Sequence, residues 1–102
     1  MAAIATLNPQ SDGSLKIVGD LTAATVPLLY KSGQQFVESA EKLLQMDLSD
    51  VGQADSAGLA LLIDWLATAQ QFGKGLRYVN LPPTLQSLAE LSEVTGLLAA
   101  AS

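Results

Sequence analysis

The chain has 102 residues, 49% of them apolar but only 5% aromatic, which predicts one domain, residues 1–102, around an aliphatic core. It contains neither cysteine nor histidine, so disulfides, thiolate or imidazole metal sites and Ser-His-Asp or Cys-His nucleophiles are excluded. The net charge of −5 argues against a nucleic-acid partner, whose phosphates require a basic face.

The first residues, MAAIATLN, place no basic segment before an apolar stretch, and no apolar run reaches the ~18 residues of a membrane span. Neither a signal peptide nor direct membrane insertion is expected. The protein is expected to be cytoplasmic and to reach a membrane only through a partner. Residues 3–7 and 14–18 read as short strands with Ile4, Leu15 and Ile17 facing inward, joined by a hairpin turn at Asp12-Gly13. A helix follows from near Thr25, which can cap it, and Pro27 fits the first turn because its missing N–H is not needed there. Val26, Leu29, Gly33, Phe36, Val37 and Ala40 recur on one face, which is expected to pack on a sheet. Gly33 costs about 1 kcal/mol relative to Ala in that setting, which points to a close helix–sheet approach.

Residues 43–48 read as an apolar strand, with Met46 and Leu48 alternating around Asp47, and residues 49–54 as a turn-rich segment. The pattern then becomes helical over 56–72, with Leu59, Leu62, Leu66 and Ala69 inward, and Gly73 and Gly75 close it. The strand 76–81 completes a βαβ unit, so these two strands should be parallel with a right-handed crossover. Pro82-Pro83 leads into a helix over 84–94, where Leu85, Leu88 and Leu91/Ser92 recur and Gly96 is a natural stop. Leu97 and Leu98 are expected to fold back on the core, and 99–102 to be a frayed tail. The fold class is α/β, a small mixed sheet of about four strands with helices packed against it.

The strand-to-helix junction holds the most informative residues. Asp55 is a preferred N-cap, since its carboxylate can accept a first-turn N–H. Ser56 occupies the first helical position beside the positive end of the helix dipole. Gly58 keeps the first turn slim, so that another backbone or a partner can come close. No basic residue lies between Lys42 and Lys74, whereas Asp47, Asp50, Asp55 and Asp64 all do. That negative field favours a partner with a basic surface.

The spacing of Asp47, Ser49, Val51, Asp55, Ser56, Gly58 and Leu59 resembles the signature of STAS domains, the family of bacterial anti-sigma factor antagonists. The resemblance implies that Ser56 opens the helix and is the regulated position. Residues 58–66 and 77–82 are most similar to one branch, the small STAS subunit of the bacterial phospholipid ABC transporter that maintains outer-membrane lipid asymmetry. The resemblance therefore implies a non-catalytic regulatory or assembly subunit that binds the transporter's cytoplasmic ATPase. The alternative within the family is an anti-sigma factor antagonist that binds a kinase-type anti-sigma factor and is switched by phosphorylation of Ser56.

On the residues alone, Ser56 reads first as a serine placed where helix starts favour one, and it is the full motif that reverses this reading. A phosphoryl group there would add about −1.5 to −2 charges, tolerable at a helix N-terminus but disruptive to an apolar docking surface. The inward set of the motif helix leaves Ala57, Ala60, Leu61, Asp64 and Thr68 outward, either a flat docking patch or a solvated face of helix formers. Trp65 falls at the core edge, and Leu28 and Tyr30, off the stripe of the first helix, extend the patch. Asp47, Asp50 and Asp55 lack the second acidic pair and the lysine of a phospho-aspartate or Mg²⁺ site. Gly52 to Gly58 is no phosphate loop, because no Gly-Lys-Ser/Thr follows. No cofactor or metal is expected, and with no nucleophile–base pair the reading is a binding protein rather than an enzyme.

Overall fold

Residues 4–91, which the computed structural model describes, build a four-stranded sheet in the order β1-β2-β3-β4 with three helices against it. Strands β1 (Ala5–Pro9) and β2 (Leu15–Leu21) form the expected antiparallel hairpin, with Ala5 opposite Gly19 and Pro9 opposite Leu15. Helix α1 (Val26–Ser39) leads to β3 (Leu43–Ala54), and α2 (Ser56–Gln71) leads to β4 (Gly75–Val79). Each helix joins parallel neighbours, β2 with β3 and β3 with β4. The α/β class and the mixed sheet are those expected from the sequence.

Among the described residues, the helices pack on one face of the sheet. Leu15 and Ile17, Met46 and Leu48, and Leu76 and Tyr78 are buried beneath the helices. The residues between them, such as Lys16, Asp47 and Arg77, point the other way and stay partly exposed. Strand β1 corrects one expectation: Ala5 and Leu7 face the core, and Ile4, one residue out of phase, is 70% exposed.

Strand β3 is longer than its apolar run. Residues 49–54, expected as a turn, continue to pair with β2 through Asp50, Val51 and Ala54 across two register shifts. Backbone pairing holds this polar half, which side-chain alternation does not reveal. Thr25 also departs from its expected role. It precedes α1, but its hydroxyl bonds no helix N–H; it donates to the Asp20 carbonyl at 2.6 Å and accepts from the Thr22 amide at 3.0 Å. It folds the β2–α1 loop instead of capping the helix.

Leu29, Gly33 and Val37 of α1 are buried as expected, but the close approach at Gly33 is to α2 and not to the sheet. A Cβ on Gly33 would overlap the indole of Trp65. Trp65, expected at the core edge, is fully buried, and its indole N–H donates to the Tyr30 carbonyl at 3.2 Å. On the other side, the Tyr78 hydroxyl donates to the Leu62 carbonyl at 2.7 Å and ties α2 to β4. Helix α3 (Pro83–Leu91) buries Leu85 and Ala89, while Leu91, expected inward, is 83% exposed. Ser92, Val94, Gly96, the Leu97-Leu98 pair and 99–102 lie outside the described residues.

Candidate functional site

Asp55 links two loops. Its backbone is extended, and one carboxylate oxygen accepts the Ala57 and Gly58 amides at 2.9 and 3.2 Å. The other accepts the Ala23 amide at 3.1 Å, from the β2–α1 loop. These bonds, Ala23's foremost, hold the carboxyl below its ordinary pKa against the opposing effect of burial. The Asp55 amide in turn donates to the Leu21 carbonyl at 3.0 Å. Gly58 completes the junction, because a Cβ there would overlap that same Leu21 carbonyl. The close approach at Gly58 is thus made by β2 of the chain itself.

Asp55→Ala is expected to lower stability by about 1–2 kcal/mol through loss of the cap and the loop bond. A carboxyl held below its ordinary value stabilises the fold above its unfolded pKa of about 3.9, and loses that effect as pH falls through its folded value. Urea melts of parent and variant should therefore differ at pH 7 and converge in strong acid. Equal midpoints at pH 7 would show that Asp55 braces nothing.

With Asp55 engaged inward, Ser56 stands exposed in the first turn, its hydroxyl outside the hydrogen bonds of the described residues. Along the same face, Ala60 and Ala67 are exposed and Ile63 is half-buried. The face is therefore Ser56, Ala60, Ile63 and Ala67, at spacings of four, three and four residues, a low apolar strip headed by a hydroxyl. Ile63 and Ala67 were missed by the inward–outward division of the sequence, although counting helical turns from Ser56 reaches both. Ala57 and Asp64 flank the strip, half-buried.

Two expected outward residues are not there. Leu61 is only 2% exposed and Thr68 8%, because both share a face of α2 with Trp65, which packs on Gly33 and Tyr30 of α1. Leu61 is therefore withdrawn from the contact surface. Leu28 and Tyr30 are exposed as expected, at 56% and 42%. Leu28, however, lines a shallow groove against β1 with Leu7, Ser32 and Phe36, a lining that includes no residue of the Ser56 strip. Tyr30 sits where Trp65 meets α1, on the other flank of that helix.

The remaining acids of the motif are engaged on the sheet face turned away from the described helices. Asp50 pairs with Lys16 at 3.0 Å. Asp47 accepts from the Asn80 side-chain amide at 3.0 Å and the Ser49 backbone amide at 2.9 Å, which hold its pKa down, Asn80 foremost. Among the described residues, no three acidic, histidine or cysteine side chains converge to hold a metal ion.

Residues 5–99, which contain this strand, braced loop and exposed serine, match the family model described as Mlab, STAS domain. The chain belongs to this STAS family. A relative of similar length is the intermembrane phospholipid transport system binding protein MlaB of Haemophilus influenzae, 29% identical over 89 residues, covering 84% of this chain and 85% of that one. Among solved structures, the STAS fold is shared with the anti-sigma factor antagonist SpoIIAA in its unphosphorylated form. That likeness has a TM-score of 0.69 at 14% identity, covering 91% of this chain and 84% of that one. An anti-sigma factor antagonist from Mycobacterium paratuberculosis gives a TM-score of 0.71 at 22% identity, covering 97% and 90%. At such identities the two structures speak to the fold alone.

Proposed function

We propose that this STAS protein is a non-catalytic regulatory or assembly subunit that docks on the cytoplasmic ATPase of a phospholipid-transporting ABC complex. The contact is made by Ser56 and the strip of Ala60, Ile63 and Ala67 behind it, with Ala57 and Asp64 at its margin. The observation that carries this reading is the exposure of the Ser56 hydroxyl at the head of a flat apolar strip, on a helix start braced from within the chain. Low side chains around one polar group suit close approach by a partner surface that excludes water. The transport system is supported by the phospholipid-transport relative of nearly equal length. Among the described residues no helix is long and apolar enough to cross a membrane, which fits a subunit held at the membrane by its partner.

Co-purification of the tagged chain from its native host is expected to recover an ABC-type ATPase. Recovery of a histidine-kinase-like anti-sigma factor instead would overturn the transporter reading. It would favour an antagonist switched by phosphorylation of Ser56, for which the exposed hydroxyl is equally accessible.

A further inference from the structure

The end of β3, which delivers Ser56 to the surface, is not held by a regular ladder. Pairing with β2 shifts register between Lys16 and Val18 and again between Gly19 and Leu21, so Asp20 falls beside Gly52 and Gln53 where the strands are out of step. A side chain takes over there. The Asp20 carboxylate accepts the Gln53 amide at 2.9 Å, between residues 33 apart in sequence. Gly52 leaves room for it, since a Cβ at that position would stand 2.7 Å from the same oxygen. Asp20's own carbonyl is held by the Thr25 hydroxyl at 2.6 Å, and Asp55 binds Ala23 of the same loop at 3.1 Å. Two carboxylates thus brace this junction: Asp20 ties the end of β2 to the end of β3, and Asp55, just after β3, ties the start of α2 to the β2–α1 loop.

We infer that Asp20 is a positioning residue for the Ser56 docking face, acting through the Gln53 amide to set the direction in which β3 enters α2. The inference rests on the docking reading of Ser56. Asp20 is only half-buried and lies outside the apolar core, so its carboxylate orients the junction more than it stabilises the fold. Gly52 belongs to the same device, because any side chain there displaces the carboxylate, the flexible member of the pair.

Asp20→Ala, Asp20→Asn and Gly52→Ala test this in the full chain. The readouts are amide exchange at Gln53 by NMR, thermal melts, and affinity for the purified ATPase subunit. Asp20→Ala and Gly52→Ala should both lose protection at Gln53 and bind about tenfold more weakly, with melting nearly unchanged. Asp20→Asn, which keeps the accepting oxygen, should bind within about twofold of the parent. Parent-like binding by a variant whose Gln53 amide has lost protection would overturn the inference and leave the docking reading standing. So would weakened binding in all three variants that tracks their melting temperatures. If Asp20→Ala does not fold, Gly52→Ala decides by the same criteria. The docking reading fails separately, if Ser56→Glu binds as the parent does.

Discussion

Ser56→Glu is expected to melt within about 2 °C of the parent and to bind the ATPase subunit a hundredfold or more weakly. The fold should tolerate the change because Ser56 is exposed and a carboxylate in the first turn of a helix is favoured by about 0.3–1 kcal/mol. Asp55 next to it offsets part of that gain. At an interface the balance differs, since a charge buried without a counter-charge costs several kcal/mol. Ser56→Ala should also fold normally and lose only about 1 kcal/mol of binding, the value of one hydroxyl hydrogen bond. Thermal melts and calorimetric titration of the three proteins separate these effects. Normal melting with normal binding for Ser56→Glu would place Ser56 outside the interface.

Trp65→Ala is expected to cost about 3–5 kcal/mol, a large share of the stability of a domain this size. The indole is fully buried between α1 and α2, and its N–H holds the Tyr30 carbonyl. Gly33 makes the prediction sharper. In the parent, Gly33→Ala forces a methyl into the indole, and overpacking of about 1–3 kcal/mol outweighs the roughly 1 kcal/mol by which Ala improves a helix. In the Trp65→Ala background the space is open, and the same substitution should stabilise by about 1 kcal/mol. Denaturant melts of the four proteins close the cycle. Additive effects would mean that Gly33 and Trp65 do not face one another.

The βαβ unit, the buried stripe of α1 and the junction at Asp55, Ser56 and Gly58 were legible in the sequence. Each is governed by local periodicity or by the chemistry of a helix start. What was not legible depends on partners distant in the chain. Leu61, Trp65 and Thr68 share one face of α2, and Trp65 on that face packs on Gly33 and Tyr30 of α1, whereas a single inward stripe assumes that only the sheet side is packed. The polar half of β3 is held by backbone pairing and by Asp20, 33 residues away from the amide it accepts. Thr25 has the composition of a cap, yet the neighbouring turn offers its hydroxyl better partners in Asp20 and Thr22. Leu28 and Tyr30 were recognised as off-stripe residues, but their two flanks of α1 are told apart only by the groove against β1.

Thiol protection tests the docking face most directly, because the chain has no cysteine of its own. Ala60→Cys places a thiol in the middle of the strip, and Gln35→Cys places one on exposed α1 as a reference. Alkylation of each is timed with and without saturating ATPase subunit. Docking through the α2 face predicts that the thiol at position 60 is slowed about tenfold or more in the complex, while that at 35 reacts as before. A complex that forms with the thiol at position 60 still reacting at its free rate would contradict the assignment of this face.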